Sequence, residues 1–315
     1  MNETRRAILE ALADGPVAGP DLATRLDISR AAVWKHVETL RAAGFDIEST
    51  EDGYALDGDR RSIDAFSAPA IEFGLEAPYE VEYHETIGST NDRARTLAGR
   101  GASDQAVVAD EQTGGRGRLE REWTAPSGGV WMSVCCRPTI PPARAPLYTL
   151  AAAVATTQAA RDVGVDAAIK WPNDVIVPEA DGGYRKLAGI LTEMEGETDR
   201  VEWLVVGIGV NANIDPETLP VGATSLQAEV GTIDRRTFVQ DVLERFHHQR
   251  SALGSVVDDW RELTATLGQR VRVDVGTASI VGEALDVTDA GALVLETEAG
   301  RRTVSAGDCE HLRPT

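Results

Sequence analysis

The amino-acid sequence predicts an α+β protein in three parts: an N-terminal winged helix-turn-helix, a central domain with a mixed sheet, and a C-terminal SH3-like β-barrel. Three short helical patterns open the chain, apolar strand patterns ending in polar loops fill its centre, and alternating valines and leucines close it. A chain of 315 residues is long enough for two or three domains. We place them at residues 1–58, 78–266 and 267–315, with a linker over residues 59–77.

The N-terminal part has the pattern of a winged helix-turn-helix. Helical patterns cover residues 4–13, 20–26 and 30–41, and two short strand patterns flank a turn at residues 51–53. Such a module places its third helix in the major groove of DNA, which predicts these outward, DNA-facing residues: Ser29, Arg30, Trp34, Lys35 and His36. Winged modules also dock proteins. The polar, basic third helix favours DNA, whereas the acidic turn argues against a phosphate contact there.

The next polar cluster, Ser89, Thr90 and Asn91, has two interpretations. It follows an alternating strand pattern at residues 79–84 and precedes a helical pattern at 93–98. Hydroxyl and amide groups at a helix N-terminus can cap the helix, or they can bind a small polar group. Local sequence leaves both interpretations open.

Residues 112–118 (QTGGRGR) are a candidate anion-binding loop. Three glycines and two arginines stand within five positions, directly after the buried strand pattern of residues 106–109. Glycines let backbone N–H groups approach a ligand, and guanidinium groups donate in pairs to phosphate or carboxylate. A mobile surface loop is the alternative.

Three further stretches place polar or small residues at strand ends. Residues 168–177 present Lys170, Asn173 and Asp174 at a break that Pro172 makes, although an edge turn with a proline stop has the same pattern. A strand pattern begins at 186–191 (KLAGIL). Another ends in the small residues and amides of 207–213 (GIGVNAN), which suit close approach of a ligand.

Composition indicates the environment of the protein. Asp and Glu number 51 against 31 Lys and Arg, giving a formal charge of −20, and the lysines are Lys35, Lys170 and Lys186. Such an acidic, lysine-poor chain is typical of proteins in molar salt, so we expect a halophilic origin; an ordinary acidic protein is the alternative.

The cysteines and the N-terminus favour a cytoplasmic protein. The three cysteines, Cys135, Cys136 and Cys309, are too few for a disulfide framework and are interpreted as buried thiols. The first residues lack a signal-peptide h-region, and no apolar run reaches membrane length, so we expect no membrane partner.

Three of these stretches, taken in order, resemble the biotin protein ligases: 115–118 with Trp123 behind it, 170–174, and 186–191. Residues 88–91 and 207–213 are similar to that family too. With the winged helix in front and the β domain behind, nearly the whole chain resembles the bifunctional BirA family, which also represses the biotin operon. The triple motif is specific, whereas the helix-turn-helix alone is not. The resemblance implies a class II synthetase-like fold for the central ligase domain.

The resemblance also implies an activity and its residues. Biotin and ATP would react, with magnesium, to biotinyl-5′-AMP, and the biotinyl group would pass to a lysine of a biotin carboxyl carrier protein domain. Biotin would contact Ser89, Thr90, Asn91, Gln112, Gly115, Arg116, Gly117, Arg118 and Lys186. ATP or the adenylate would contact Arg116, Arg118, Trp123, Asn173, Asp174 and Asn211. Lys186, Arg118 and Lys170 would be catalytic, Asp174 would bind magnesium, and a homodimer carrying the adenylate as co-repressor would bind operator DNA.

Two departures from the family pattern keep alternatives open. Glu120 stands where the family loop has glycine, and residues 222–226 lack the tryptophan that stacks on adenine in some members. Glu120 favours an adenylate-sensing DNA-binding regulator without ligase turnover. A lipoyl-type protein ligase shares the broader fold, but residues 170–174 favour biotin. The placement of the lysines supports the ligase independently, because two of the three lie in the candidate catalytic strands.

Overall fold

The computed structural model describes residues 1–56, 66–276 and 278–312, apart from the side chain of Glu120. The helices are α1 (Glu3–Ala13), α2 (Gly19–Arg25), α3 (Arg30–Ala42), α4 (Ala68–Glu72), α5 (Thr90–Gly99), α6 (Pro146–Asp162), α7 (Leu226–Val230), α8 (Arg235–Ser251) and α9 (Val256–Leu263). The strands are β1 (Ile47–Thr50), β2 (Gly53–Leu56), β3 (Glu80–Ile87), β4 (Gln105–Gln112), β5 (Val130–Cys136), β6 (Ala168–Lys170), β7 (Asp174–Pro178), β8 (Tyr184–Gly196), β9 (Val201–Val210), β10 (Arg270–Val275), β11 (Ala278–Val287), β12 (Leu293–Thr297), β13 (Gly300–Val304) and β14 (Asp308–His311). None of the helices in these ranges combines the length and apolar character needed to cross a membrane.

The N-terminal residues form the predicted three helices and two-stranded wing. Apolar side chains from α1, α2 and α3 share one core, to which the wing adds Ile47 and Leu56. Ser29 begins α3 by accepting a hydrogen bond from the Ala32 N–H at 3.1 Å. The wing crosses so close to Val17 that a Cβ on Gly53 would lie 2.3 Å from the Val17 carbonyl oxygen, so this turn requires glycine.

The central domain is built on a seven-stranded sheet in the order β3-β4-β5-β9-β8-β7-β6. Strands β3 and β4 are parallel and the other neighbours antiparallel, which confirms the predicted mixed sheet. Because side chains alternate between faces, Cys135 packs under α5 while Cys136 faces the main core. Burial raises the pKa of Cys135 to about 11 and of Cys136 to about 12, so both are protonated packing residues, as predicted.

The helix α6 lies between the sheet and helices α8 and α9. Alanine is the commonest residue of its middle turns, and all but Gln158 of residues 150–160 are buried. Small side chains let neighbouring backbones approach closely, so this helix is packed on all sides. The result is one large core that fixes the strands whose ends carry the polar loops.

The C-terminal residues form five antiparallel strands in the order β13-β12-β11-β10-β14. The predicted five-strand module is confirmed, but closure into an SH3-like barrel is not, since β13 and β14 each pair with one neighbour among the described residues. This sheet shares the core of the central domain. Trp171 joins the two domains, because its indole N–H donates to the Gly291 carbonyl at 3.0 Å.

Part of the predicted linker is packed. Residues 57–65 lie outside the described residues, but α4 follows them and contacts two cores at once. Phe73 belongs to the N-terminal core and meets Phe45 edge-on at 5.9 Å between ring centroids, while Ile71 belongs to the central core. Gln240 of α8 donates to the carbonyls of Ile71 and Phe73 at 2.7 and 2.8 Å. The DNA-binding part is therefore attached through a buried segment.

Candidate active site

A cavity of about 710 Å³ lies between the loop at residues 112–123, the ends of the central strands, and one turn of the C-terminal sheet. This is within the usual size range of small-molecule sites, about 300–1,000 Å³. The sequence-predicted residues that line it are Ser89, Thr90, Asn91, Gln112, Arg116, Gly117, Arg118, Trp123, Asn173, Asp174, Lys186 and Asn211. Gly115 and Lys170 do not line it.

One end of the cavity is a hydrogen-bonding cluster without net charge, because its one carboxylate, Glu193, pairs with Arg95 at 3.0 Å. The backbone N–H and hydroxyl of Thr90 lie 2.8 and 3.0 Å from Gln112 Oε1. The Ser133 hydroxyl lies 2.7 Å from Thr90 Oγ1 and 2.6 Å from Asn91 Oδ1, and Asn91 Nδ2 donates to Glu193 at 2.7 Å. These donors and acceptors alternate in a largely buried place, which suits a small uncharged polar group.

The helix-capping interpretation also holds, and the residue that caps the helix is Ser89. Its hydroxyl accepts from the Asp92 N–H at 3.4 Å, at the first turn of α5. Thr90 and Asn91 instead point their polar atoms into the cluster described above. The three adjacent residues therefore divide the two roles that local sequence left open.

Glycines bring the backbone close to the cavity. A Cβ on Gly207 would lie 2.2 Å from Asn91 Oδ1, and Cβ atoms on Gly189 and Gly209 would lie 3.1 and 3.3 Å from the Trp123 ring. Side chains there would fill the cavity or displace its walls. Between the glycines the cavity is bounded by strand backbone, because the Met132 and Ile208 side chains face the main core on the other side of the sheet.

The other end of the cavity is cationic. Asp174 lies between two ammonium groups, with Lys186 Nζ at 2.5 Å and Lys170 Nζ at 3.2 Å. Burial alone would raise the pKa of Asp174, but the two lysines hold it below its ordinary value. Lys186 Nζ also lies 4.9 Å from the centre of the Trp123 ring, a cation–π contact. Two positive groups around one carboxylate leave a net positive charge facing the cavity.

Lys170 does not reach the cavity because it lies behind Asp174. Its side chain is 6% exposed and its ammonium lies 5.4 Å from the Tyr184 ring centre. Of the residues predicted to be catalytic, Lys186 and Arg118 line the cavity, whereas Lys170 has the position of a residue that holds Asp174 in place. The structure therefore does not support a contact between Lys170 and a ligand in this cavity.

The loop at residues 112–123, called the lid here, folds back on itself. Antiparallel bridges join Gln112 to Ala125 and Arg116 to Glu122. A Cβ on Gly115 would lie 2.5 Å from the Trp123 carbonyl oxygen, so Gly115 permits the fold of the lid instead of lining the cavity. The predicted effect of Glu120 concerns a side chain outside the described residues.

Both predicted lid arginines are held by polar partners. Arg116 pairs with Asp92 of α5. Arg118 donates to Asn173 Oδ1 at 3.1 Å and to the Gly307 carbonyl at 3.0 Å. Burial lowers the pKa of Arg118 from its ordinary value. An arginine pKa is so high that the guanidinium nevertheless stays charged at neutral pH. The lid thus places a half-buried cation in the same cavity as Lys186.

Sequence reasoning missed several residues of this site. Ser133 stands as a polar residue in an otherwise apolar strand, and that was a usable signal. Glu193 and Asp308 also line the cavity, but they come from the far part of β8 and from the C-terminal sheet. No local pattern connects them with the motifs.

Asp174 can contribute to a magnesium site only as one ligand among several. Within the ranges that the structure describes, no group of three or more His, Cys, Asp or Glu side chains is placed to hold a metal ion. Magnesium keeps several waters and commonly binds one or two carboxylates together with substrate phosphates. Both Asp174 oxygens already pair with Lys186 and Lys170, so an ion that arrives on a nucleotide would reach this carboxylate only in exchange for a lysine.

The predicted DNA-facing residues lie on the surface of α3. Trp34 is 57% exposed, Ser29, Arg30 and Lys35 are exposed, and His36 is half-buried. An exposed tryptophan beside cationic side chains is unusual for a free surface, and suits contact with a partner.

Comparisons with known proteins follow the same division of the chain. Residues 84–211 match the Biotin/lipoate A/B protein ligase family, residues 266–312 match the Biotin protein ligase C terminal domain, and residues 4–55 match an HTH domain.

Relatives match over most of the chain. The Bifunctional ligase/repressor BirA of Bacillus subtilis is 36% identical over 93% of this chain and 93% of its own length, and that of Escherichia coli is 30% identical over 92% of each. A Biotin--[acetyl-CoA-carboxylase] ligase of Mycobacterium tuberculosis is 36% identical over 72% of this chain and 86% of its own. The solved structure of a biotin protein ligase from Aquifex aeolicus in complex with biotin and ATP superposes with a TM-score of 0.62 at 26% identity, covering 74% of this chain and 99% of that one.

Proposed function

This chain belongs to the family of bifunctional biotin ligase/repressors, and from that membership we propose that it activates biotin with ATP and joins it to a carrier protein. In the first step a biotin carboxylate oxygen attacks the α-phosphorus of ATP, and pyrophosphate leaves. In the second, a lysine amine of a biotin carboxyl carrier protein domain attacks the acyl carbon of biotinyl-5′-AMP, and AMP leaves. One observation carries the proposal: a single cavity joins a neutral hydrogen-bonding end to a cationic end beneath an arginine-bearing loop.

Biotin fits the neutral end. Its ureido group needs donors and acceptors together, which Thr90, Asn91 and Gln112 provide, while its apolar rings would rest on the strand backbone at Gly207 and Gly209. In that orientation the carboxylate points toward Lys186. Ser89 supports this end through its helix cap.

The adenylate would occupy the cationic end. Attack of a carboxylate on a phosphate must overcome charge repulsion, which fixed cations beside both groups lower. Lys186 would contact the reacting carboxylate and α-phosphate, Arg116, Gly117 and Arg118 would close over the adenylate, and Trp123, Asn173 and Asn211 would bound the nucleotide. Magnesium would neutralise the phosphates of ATP when bound, with Asp174 as its protein ligand.

The winged helix-turn-helix gives the protein its second role as a transcriptional repressor. We place DNA contacts on Ser29, Arg30, Trp34, Lys35 and His36 of the α3 surface. Biotinyl-5′-AMP would act as co-repressor, and a homodimer would match the two half-sites of an operator.

The environment of the protein is also part of the proposal. A halophilic origin is consistent with a formal charge of −20. In molar salt that charge is screened and keeps the protein hydrated. A cytoplasmic location fits an enzyme that uses ATP and a carboxylase carrier.

Transfer of labelled biotin tests the function. The protein is incubated in high salt with radiolabelled biotin, ATP, magnesium and an isolated carrier domain, and the carrier is counted after precipitation. Label on the carrier that requires ATP supports the ligase. Pyrophosphate release without carrier labelling indicates a regulator without turnover. In a parallel reaction with radiolabelled lipoate, transfer of lipoate to the carrier that excess biotin does not suppress indicates a lipoyl-type ligase.

A further inference from the structure

We propose that the turn at residues 305–308 of the C-terminal sheet fastens the lid, with Gly307 and Asp308 acting as positioning residues that set how long the adenylate is retained. This inference rests on the proposed ligase function. It assigns the C-terminal domain a direct part in the chemistry of the cavity.

Two arginines of the lid reach this turn. Arg118 Nη2 donates to the Gly307 carbonyl at 3.0 Å, and Arg121 Nη2 pairs with Asp308 Oδ2 at 2.6 Å. Asp308 itself lines the cavity. The lid is therefore tied at two points to a different domain from the one that supplies the rest of the site.

The turn is a rigid partner. A Cβ on Gly307 would lie 2.5 Å from Val273 Cγ1 and 2.9 Å from the Asp274 carbonyl oxygen, so the turn presses against β10. Asp308 begins β14, which pairs with β10 at Asp274. The acceptors offered to the lid are consequently fixed by the sheet.

The arginines keep donors free for a ligand. A guanidinium carries five N–H donors, and Arg118 uses one for Gly307 and one for Asn173. Among the described residues Arg118 makes only these two hydrogen bonds, so its remaining N–H groups can donate to the phosphate of the adenylate while the turn holds it. Arg121 is 64% exposed on its side chain and serves as the outer tie.

Release of the adenylate requires the lid to open, which breaks both ties. A contact made in the closed lid and lost in the open one slows opening, and it changes the dissociation rate more than the rate of chemistry. Exposed ion pairs of this kind contribute about 0.2–1 kcal/mol. Loss of the Arg121–Asp308 pair should therefore accelerate release by about 1.5- to 5-fold.

The test measures adenylate release from the full-length protein. Labelled biotinyl-5′-AMP is formed on the enzyme, excess unlabelled adenylate is added, and the remaining bound label is followed over time at one fixed salt concentration. Asp308→Asn should release faster by the factor above, and Asp308→Glu should restore slow release. The charge exchange Arg121→Asp with Asp308→Arg should release more slowly than either single change.

Glu310→Gln is the matched control. Glu310 lies on the same strand and pairs with Arg272 inside the C-terminal sheet, away from the lid. Its release rate should equal that of the unmodified protein. If Asp308→Asn releases no faster than the unmodified protein, or if Glu310→Gln accelerates release equally, the fastening role is overturned even where carrier labelling is normal. If the unmodified protein forms no adenylate at all, the ligase proposal fails, and this inference fails with it.

Discussion

At the scale of single residues, the charge around Asp174 decides what the cavity can bind. Lys170 neutralises this carboxylate from behind, so Lys186 keeps a positive charge directed at the cavity. Burial alone lowers the pKa of Lys170, but the nearby Asp174 carboxylate raises it above the ordinary value, which keeps the ammonium charged. In a chain with only three lysines, two stand at these positions, where a compact ammonium fits beside one carboxylate.

Replacing Lys186 by alanine should reduce formation of biotinyl-5′-AMP by about 100- to 1,000-fold, because removing one preorganised charge donor at a transition state has an effect of that size. The measurement is the initial rate of biotin-dependent pyrophosphate exchange into ATP. Lys35→Ala, which removes an exposed lysine from α3, is the control and should leave that rate unchanged. An unaltered rate in Lys186→Ala would remove Lys186 from the mechanism.

His311 makes stability depend on pH. Burial first, and then the neighbouring Lys170, lower the pKa of His311 to about 4. The unfolded chain binds a proton near the ordinary histidine pKa of about 6.5 while the folded chain does not. The contribution of His311 to the stability of the folded state is therefore fully present above that pH and is lost as the pH falls toward 4.

The free energy of unfolding, measured by urea denaturation, should therefore decrease as the pH is lowered from 6.5 to 5. This residue contributes a slope of at most about 1.4 kcal/mol per pH unit. His311→Gln should flatten that dependence, whereas His248→Gln, on the exposed face of α8, should not. Equal slopes in His311→Gln and the unmodified protein would contradict this account.

The sequence identifies site residues where a motif is local, and fails where the contact is distant in sequence. Gln112, Arg118 and Lys186 stand in recognisable stretches, and the fold brings them to one cavity. Asp308 has no such context, because only the pairing of β14 with β10 brings it to the lid. Lys170 was placed in the right motif, but the side of the strand it faces depends on packing against Tyr184.

At the scale of elements, α3 is the clearest case of a helix whose pattern predicts both packing and function. Val33, Val37 and Leu40 are buried, while the polar residues between them are exposed. The helix repeat explains this, because it fixes the inward face and thereby the outward one. Sequence reasoning missed the short helix α4, since its few apolar residues follow a polar stretch and give no helical period.

Lys35→Ala should weaken binding to duplex DNA and lower its salt dependence by about one unit of slope, because one phosphate contact with its counterion is lost. Fluorescence anisotropy with a labelled random-sequence duplex over a salt series measures both. Glu10→Gln, at an exposed position of α1, is the control and should leave the slope unchanged. A slope unchanged in Lys35→Ala would move DNA contact away from this position.

At the scale of the whole molecule, packed contacts among the described residues join the three domains. The central sheet supplies most of the cavity, the C-terminal sheet holds the lid, and α4 joins the DNA-binding core to the central core. The sequence predicts the three parts and their order because each has its own hydrophobic period. It does not predict the contacts between them, because inter-domain packing depends on surfaces that no local pattern records.

The central claim is that one cavity forms and holds an acyl-adenylate before transfer. The most direct measurement uses ATP labelled on the α-phosphate, mixed with biotin and magnesium in the absence of carrier, followed by rapid isolation of the protein. We predict one labelled biotinyl-5′-AMP per cavity, which becomes free labelled AMP when the carrier domain is added. Absence of protein-bound label, or bound label that the carrier does not discharge, would contradict the account.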